Sequence, residues 1–119
     1  MSPERVVYIL SDATGDTASR VVRAALKQFV GDEVTIRRYP NVLRKSEVRS
    51  ILREAAQTES LVAHTFAADP LRKMMEAEAA ALGLETLDLL GPLLHTLEGF
   101  LHRKAKEEPG LLHRIDEQY

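Results

Sequence analysis

A polar segment near the N-terminus carries residue types that bind anions. Ser11, Thr14, Gly15 and Thr17 lie between a strand-like apolar run and a helix-like pattern. Backbone N–H groups and the dipole at a helix N-terminus favour negative charge, and glycine lets a ligand approach the backbone closely. We therefore expect a phosphate group as the ligand of this segment, with Ser11, Asp12, Thr14, Gly15 and Thr17 as its candidate contacts.

Two carboxylates in the same segment argue against a bare anion. Asp12 and Asp16 repel negative charge unless a metal ion or a basic residue intervenes. The alternative is structural, since short polar side chains commonly cap a helix or shape a turn. On that interpretation Ser11, Thr14 or Asp16 only form the entry to the helix, and both interpretations stay open.

Further polar residues follow the third and fourth predicted strands. His64 and Thr65 end one strand, Asp69 opens the next helix, and Asp88 and Gly91 lie where the last strand gives way to a helix. Ligands bind parallel α/β sheets at the carboxyl ends of the strands, near the point where strand order reverses. We therefore expect these five residues to line a cleft. His64 suits a general base or a hydrogen-bonded structural role, and Asp88 suits an acid or a helix cap.

Several kinds of chemistry have no residues to support them. His95, His102 and His113 show no ligand spacing with a carboxylate, so no metal site is expected. The chain has no cysteine, which excludes disulfides and thiol nucleophiles. The pattern of the P-loop, with its phosphate-binding lysine, does not occur in the sequence.

The elements that would position these residues alternate between strand and helix periodicity. Apolar runs predict strands over 6–10, 33–39, 60–66 and 84–90. Stripes at helical spacing predict helices over 18–29, stopped by Gly31, and around 48–55. Two more are expected, one from Asp69, with its carboxylate as the cap, to Gly83 and one over 91–101. The fold class expected is α/β, a small three-layer domain over residues 1–104 with a parallel sheet in the order 2-1-3-4 and helices on both faces.

Size and charge narrow the function classes. The chain has 119 residues, a net charge of -2 and 45% hydrophobic residues, which is typical of one soluble domain. The charge gives no basic surface for nucleic acid or anionic membrane, so neither is expected as a partner. No apolar run is long enough to span a membrane and no signal-peptide pattern occurs, so a cytoplasmic location is expected.

The last residues, 105–119, form a separate tail in this interpretation. They carry an apolar stripe at helical spacing, which needs a cover: Leu111, Leu112, Ile115 and Tyr119. The stripe either folds back on the domain or contacts a following domain or a second copy of the chain.

Four segments in order resemble one protein family across the whole chain. They are Ser11–Ala18, His64–Thr65 with Asp69–Arg72, Asp88–Leu94, and 109–119. The chain resembles the regulatory proteins of pyruvate, phosphate dikinase and phosphoenolpyruvate synthase. The resemblance implies a bifunctional enzyme that uses ADP to phosphorylate a threonine of the target. The same enzyme reverses the phosphorylation with inorganic phosphate, releasing pyrophosphate.

The same resemblance implies that the catalytic machinery lies elsewhere. In this family the P-loop that uses ADP or ATP and phosphate belongs to a C-terminal half, and the sequence stops at Tyr119 without it. The chain then resembles the N-terminal domain alone, with its partners being the target enzyme and its own kinase domain. No family catalytic residue can be assigned to it, and we expect it to bind the target or a phosphate ligand without catalysing transfer.

Two other functions remain open. Thr14–Thr17 after the first strand is similar to the phosphate loop of flavodoxins, which predicts FMN binding with Tyr39 as the one well-placed aromatic residue. A non-catalytic interaction or dimerisation module that docks through its tail is the third interpretation.

Overall fold

The computed structural model describes residues 4–106, which form a four-stranded parallel sheet with four helices. The strand order is β2-β1-β3-β4, as predicted. In chain order the elements are β1 (Arg5–Ser11), α1 (Asp16–Leu26), β2 (Thr35–Tyr39), α2 (Lys45–Ala55), β3 (Glu59–Thr65), α3 (Asp69–Ala81), β4 (Glu85–Asp88) and α4 (Gly91–Leu101).

Apolar residues on both sides of β1 explain the layers. One side packs against α2 and α3 in a cluster built around Tyr8, Leu52 and Met75. The other side packs against α1, with Ile9 and Ala18 in contact. A parallel strand buried on both faces needs a continuous apolar run rather than alternation, which is what β1 has. The expected three layers are confirmed.

Strand register brings the polar strand ends to one edge of the sheet. Ser11 lies opposite Thr65 in the β1–β3 pair, and His64 lies opposite Asp88 in the β3–β4 pair. Because all four strands run in parallel, the loops after β1, β3 and β4 leave from this carboxyl edge. The three loops therefore start from the same edge of the sheet.

Several predicted element boundaries differ from the structure. α1 ends at Leu26 rather than Phe29, since Phe29 donates its N–H to Leu26 in a tighter turn and its side chain is 62% exposed. Apolar residues at helical spacing therefore extend past the core that α1 covers. β2 begins at Thr35 rather than 33, and β4 ends at Asp88 rather than 90 because the next residues turn into α4.

Gly83 forms part of the C-terminal cap of α3, as predicted. Gly83 has a φ of 72°, and Leu84 donates to the carbonyl of Ala79 at 2.9 Å. A glycine in the left-handed region allows this bond to satisfy a carbonyl that the helix leaves unpaired.

α4 differs from the other helices because none of its residues is fully buried. Four of its large apolar side chains are 40–77% exposed: Leu93, Leu97, Phe100 and Leu101. Among residues 4–106, no helix is long and apolar enough to cross a membrane. The predicted tail contacts at Leu111, Leu112, Ile115 and Tyr119 lie outside the described residues, and the boundary at residue 104 stays a prediction.

Candidate functional site

A carboxylate at the end of β1 ties two of the converging loops together. Asp12 Oδ2 accepts hydrogen bonds from the backbone N–H groups of Ala67 and Ala68, at 3.0 and 3.1 Å. These residues directly precede α3. The expected cap of α3 by Asp69 was wrong, because Asp69 is the first residue of the helix and the cap position belongs to Ala68. The Asp12 carboxylate instead satisfies N–H groups at this helix start.

Burial and hydrogen bonding of Asp12 reduce the electrostatic repulsion that its carboxylate would exert on a nearby anion. The side chain is buried, and burial raises the pKa of its carboxyl, while the backbone hydrogen bonds and the charge of Arg72 lower it. The carboxylate faces the loop before α3 and is held there. Asp12 therefore acts first as a link between β1 and the start of α3.

The hydroxyls of the first loop shape the turn into α1. Ser11 Oγ accepts from the Ala13 N–H at 3.0 Å, and Thr14 Oγ1 accepts from the Asp16 N–H at 3.3 Å. Gly15 occupies the cap position of α1 with a φ of 80° and makes no side-chain cap bond. The alternative structural role of Ser11 and Thr14 is thus visible in the geometry: Thr14 accepts from the first N–H of α1, while the cap residue Gly15 has no side chain to add.

An arginine from the neighbouring edge strand lies beside this loop. Arg38 Nη1 contacts Asp16 Oδ1 at 2.6 Å. Its aliphatic stem packs on Gly15, where an added Cβ would lie 3.1 Å from Arg38 Cδ. The Arg38 guanidinium therefore offsets the negative charge of Asp16. It is the basic residue that an anion bound near Asp16 would need. Thr17 lies in the first turn of α1 and is exposed.

A second arginine, which sequence reasoning did not assign to the site, joins the other loops. Arg72 Nη1 lies 3.2 Å from Asp69 Oδ1, and its Nε lies 3.4 Å from Asp88 Oδ2. Its Nη2 donates to the carbonyl of Phe66 at 2.6 Å. Arg72 thereby connects the start of α3 with the end of β4. The spacing of three residues from Asp69 was the signal available in the sequence.

Asp88 takes the helix-capping role that was one of its two interpretations. Its Oδ1 accepts from the N–H groups of Leu90 and Gly91, at 3.0 and 2.6 Å. A side chain at position 91 would collide with the Asp88 carboxylate, so Gly91 is required for this close approach.

His64 lies under this network and is fully buried. Neither ring nitrogen has a hydrogen-bond partner among residues 4–106. Burial lowers the pKa of His64 to about 4, against the opposing attraction of Asp88, so the imidazole is neutral near pH 7. Thr65, the next residue, is partly buried at the end of β3. The ring of His64 is closed to solvent, which favours an internal role over general-base catalysis on a diffusing substrate.

A small cavity lies beside the Arg72 network. It has a volume of about 240 Å³ and lies between the start of α3 and α4. Its lining is of mixed charge: Asp69, Arg72, Gly91, Leu94, His95, Glu98, Lys104 and Ala105. Of the five predicted cleft residues, Asp69 and Gly91 line it.

Tyr39 packs against the core cluster that contains Tyr8. Its ring stacks on Tyr8 with centroids 6.1 Å apart, and its hydroxyl donates to Glu54 at 2.5 Å. The hydrogen bond to Glu54 raises the pKa of Tyr39 to about 12. A ring held in this way is not placed to stack on a flavin at the loops.

Comparison with known proteins gives one consistent result. The sequence profile of the kinase/pyrophosphorylase family matches residues 7–119. A relative from Trichlorobacter lovleyi is 44% identical over 95% of the chain, and one from Alkaliphilus metalliredigens is 38% identical over 96%. Both bear the provisional name pyruvate, phosphate dikinase regulatory protein. The chain spans only 42% and 41% of the length of these two relatives.

Proposed function

The chain belongs to the kinase/pyrophosphorylase family, and from that membership we propose that it is the sheet domain of a protein that regulates pyruvate, phosphate dikinase. The name of its relatives supports this target. Phosphoenolpyruvate synthase is the other target that the family resemblance suggests. The regulatory protein would phosphorylate a threonine of the target in an ADP-dependent reaction. It would reverse this modification with inorganic phosphate, releasing pyrophosphate. The protein would act in the cytoplasm.

In this proposal, ADP binding and phosphoryl transfer belong to a P-loop domain outside the 119 residues of this chain. The relatives are more than twice as long as the matched region, which leaves room for a P-loop kinase domain in them. Phosphoryl transfer depends on positioning and charge neutralisation by such a loop and its metal ion. The present chain has no P-loop pattern. We therefore expect the isolated chain to bind a ligand or the target but not to transfer phosphate.

Phosphate binding by residues 11–17 is the role that the geometry supports best, and one observation carries it. The cap residue of α1 is Gly15, which has no side chain, and the aliphatic stem of Arg38 packs on it with the guanidinium on Asp16. Backbone N–H groups and a guanidinium both donate to phosphate oxygens. Asp12 is turned toward Ala67 and Ala68, so its charge is already engaged. Only Asp16 must give up its contact with Arg38 when an anion binds.

The test is an amide NMR titration of the chain with inorganic phosphate, pyrophosphate, ADP and FMN in turn. Shifts concentrated in residues 11–17 with phosphate or pyrophosphate are the expected result. The variant Arg38→Gln should weaken this response by about tenfold, since one charged hydrogen bond contributes roughly 1.5 kcal/mol. Arg37→Gln is the matched control, because Arg37 directly precedes Arg38 in β2 and contacts Glu4 and Glu54 instead.

Each other outcome changes the conclusion. Equal responses in the two variants would remove Arg38 from the site. A response to FMN alone would favour the flavodoxin-like function despite the position of Tyr39. No response to any of the four ligands would refute phosphate binding by this loop. A docking role would then be favoured, for which the exposed apolar side of α4 is the supporting observation.

A further inference from the structure

Three side chains of metal-ligating type meet beneath the Arg72 network. His64 comes from β3, Glu76 from α3 and Asp88 from β4, and one ligand atom of each lies within 4.8 Å of the other two. His64 Nε2 is 3.9 Å from Glu76 Oε1. His64 and Asp88 lie opposite each other on parallel strands, so their side chains leave the same face of the sheet.

The His64 ring is the observation that points to a ligand. It is 0% exposed, and both of its nitrogens lack a hydrogen-bond partner within the described part of the chain. A buried polar group without a partner costs free energy, so such groups are rare in folded proteins. The contact with Glu76 does not resolve this, because 3.9 Å between His64 Nε2 and Glu76 Oε1 is too long for a hydrogen bond.

A metal ion would give the His64 ring the partner that it lacks. Metal ions bind the imidazole through a nitrogen lone pair. The two carboxylates supply negative charge around the same point. An unpaired imidazole beside two acidic side chains is thus matched to a cation.

Asp88 retains the capacity to coordinate. A carboxylate accepts at about four positions. Two positions on Oδ1 are used by the N–H groups of Leu90 and Gly91, which fix the orientation of the group. Oδ2 faces Arg72 Nε at 3.4 Å, and that Nε is itself without a hydrogen bond among residues 4–106. Arg72 also contacts Asp69, so it keeps a carboxylate partner when Asp88 binds a cation.

We propose that His64, Glu76 and Asp88 bind a divalent transition-metal ion of the zinc type. One nitrogen and two oxygen ligands suit Zn²⁺ and its neighbours better than Mg²⁺ or Ca²⁺, which prefer oxygen alone. In a tetrahedral site with metal–ligand distances of about 2.1 Å, ligand atoms lie about 3.4 Å apart. Glu76 is 46% exposed, so its side chain has the freedom to close the remaining gap.

Linear sequence patterns do not reveal such a site. The expectation of no metal site was drawn from the spacing of histidines and carboxylates along the chain. The three ligands here come from three separate elements and meet only in the folded sheet. Three protein ligands also leave a coordination position open, which is typical of sites that bind a further small ligand.

The test uses Co²⁺ as a coloured substitute for Zn²⁺, titrated into the metal-free chain at pH 7. The expected result is visible absorption that saturates at one equivalent and disappears when Zn²⁺ is added. Ring ¹⁵N signals of His64 should shift with Zn²⁺. The variant Glu76→Gln should weaken Co²⁺ binding by at least about tenfold, as losses around metal sites commonly do. Glu76 is exposed, so this variant tests the site without disturbing the core.

Glu78→Gln is the matched control, since Glu78 is on the same helix and contacts Arg49 instead of His64. It should bind Co²⁺ as the unmodified chain does. The proposal is overturned if no saturable absorption develops, or if the two variants bind Co²⁺ equally well. It is also overturned if the metal shifts the ring signals of His95 or His102 and leaves those of His64 unchanged.

Discussion

The link between Asp12 and the start of α3 gives a stability prediction whose size follows from its geometry. In Asp12→Ala, the N–H groups of Ala67 and Ala68 lose the carboxylate oxygen that accepts from both of them, at 3.0 and 3.1 Å. An unsatisfied buried donor costs about 1–3 kcal/mol. Because both bonds are only partly buried, we expect a total loss of about 2–4 kcal/mol in the free energy of unfolding.

The variant Asp12→Asn separates the hydrogen bonds from the charge. Both bonds reach the same oxygen, Oδ2, and the carbonyl oxygen of asparagine has two lone pairs to accept them. Burial raises the pKa of Asp12, so the folded state favours the neutral form more than the unfolded state does. The charge therefore lowers stability above that raised pKa, and the penalty vanishes below the ordinary value of 3.8. We expect Asp12→Asn to stay within about 1 kcal/mol of the unmodified chain at pH 7.

The measurement is urea unfolding of the three proteins at pH 7, followed by circular dichroism and fitted with a shared slope. Two-state unfolding of a chain this small makes the midpoints directly comparable. The reasoning would be refuted if Asp12→Ala were within about 0.5 kcal/mol of the unmodified chain. It would also be refuted if the asparagine variant were as unstable as the alanine variant.

Two further predictions concern the residues around Arg72. His64 has a pKa of about 4 in the folded state and an ordinary value of 6.5 unfolded, so the unfolded chain binds the proton first and stability falls as pH drops from 6.5 toward 4. That loss should reach up to about 3 kcal/mol in urea unfolding and should be missing in His64→Gln, so an equal fall in both proteins would contradict the assignment to His64. Gly91→Ala should lower the thermal midpoint, at a cost of about 1–3 kcal/mol, because its methyl group displaces the Asp88 carboxylate. Gly99→Ala, in the same helix with nothing within 4 Å, should instead raise stability by about 0.5–1 kcal/mol, and equal shifts in both would contradict the steric argument.

Most of the architecture could be predicted from the sequence because local patterns specify it. The apolar run of β1 and the stripes of α2 and α3 identify buried faces directly. Right-handed connections then allow few orders for four parallel strands. Helix ends were less predictable, since Phe29 continues the apolar stripe of α1 although no core lies beneath it.

The chemistry of the site was predicted less well because its partners are distant in sequence. The rule for strand ends located the loops, but it gave no information on which groups pair there. Asp12 bonds to residues 55 and 56 positions away, and Arg72 reaches Asp88 on another element. The burial of His64 was equally hidden, since a strand-end histidine has the same sequence pattern whether α3 covers it or not.

The order of the strands has a consequence for synthesis of the chain on the ribosome. β1 is made first, yet its pairing with β3 is complete only when Thr65, opposite Ser11, has been added. At about 5–20 residues per second, the ribosome needs roughly 3–10 s to make the intervening segment. During that interval the most apolar strand of the domain is a nascent segment without its central neighbour. Apolar surface that stays exposed in this way is prone to aggregation, which chaperones counteract.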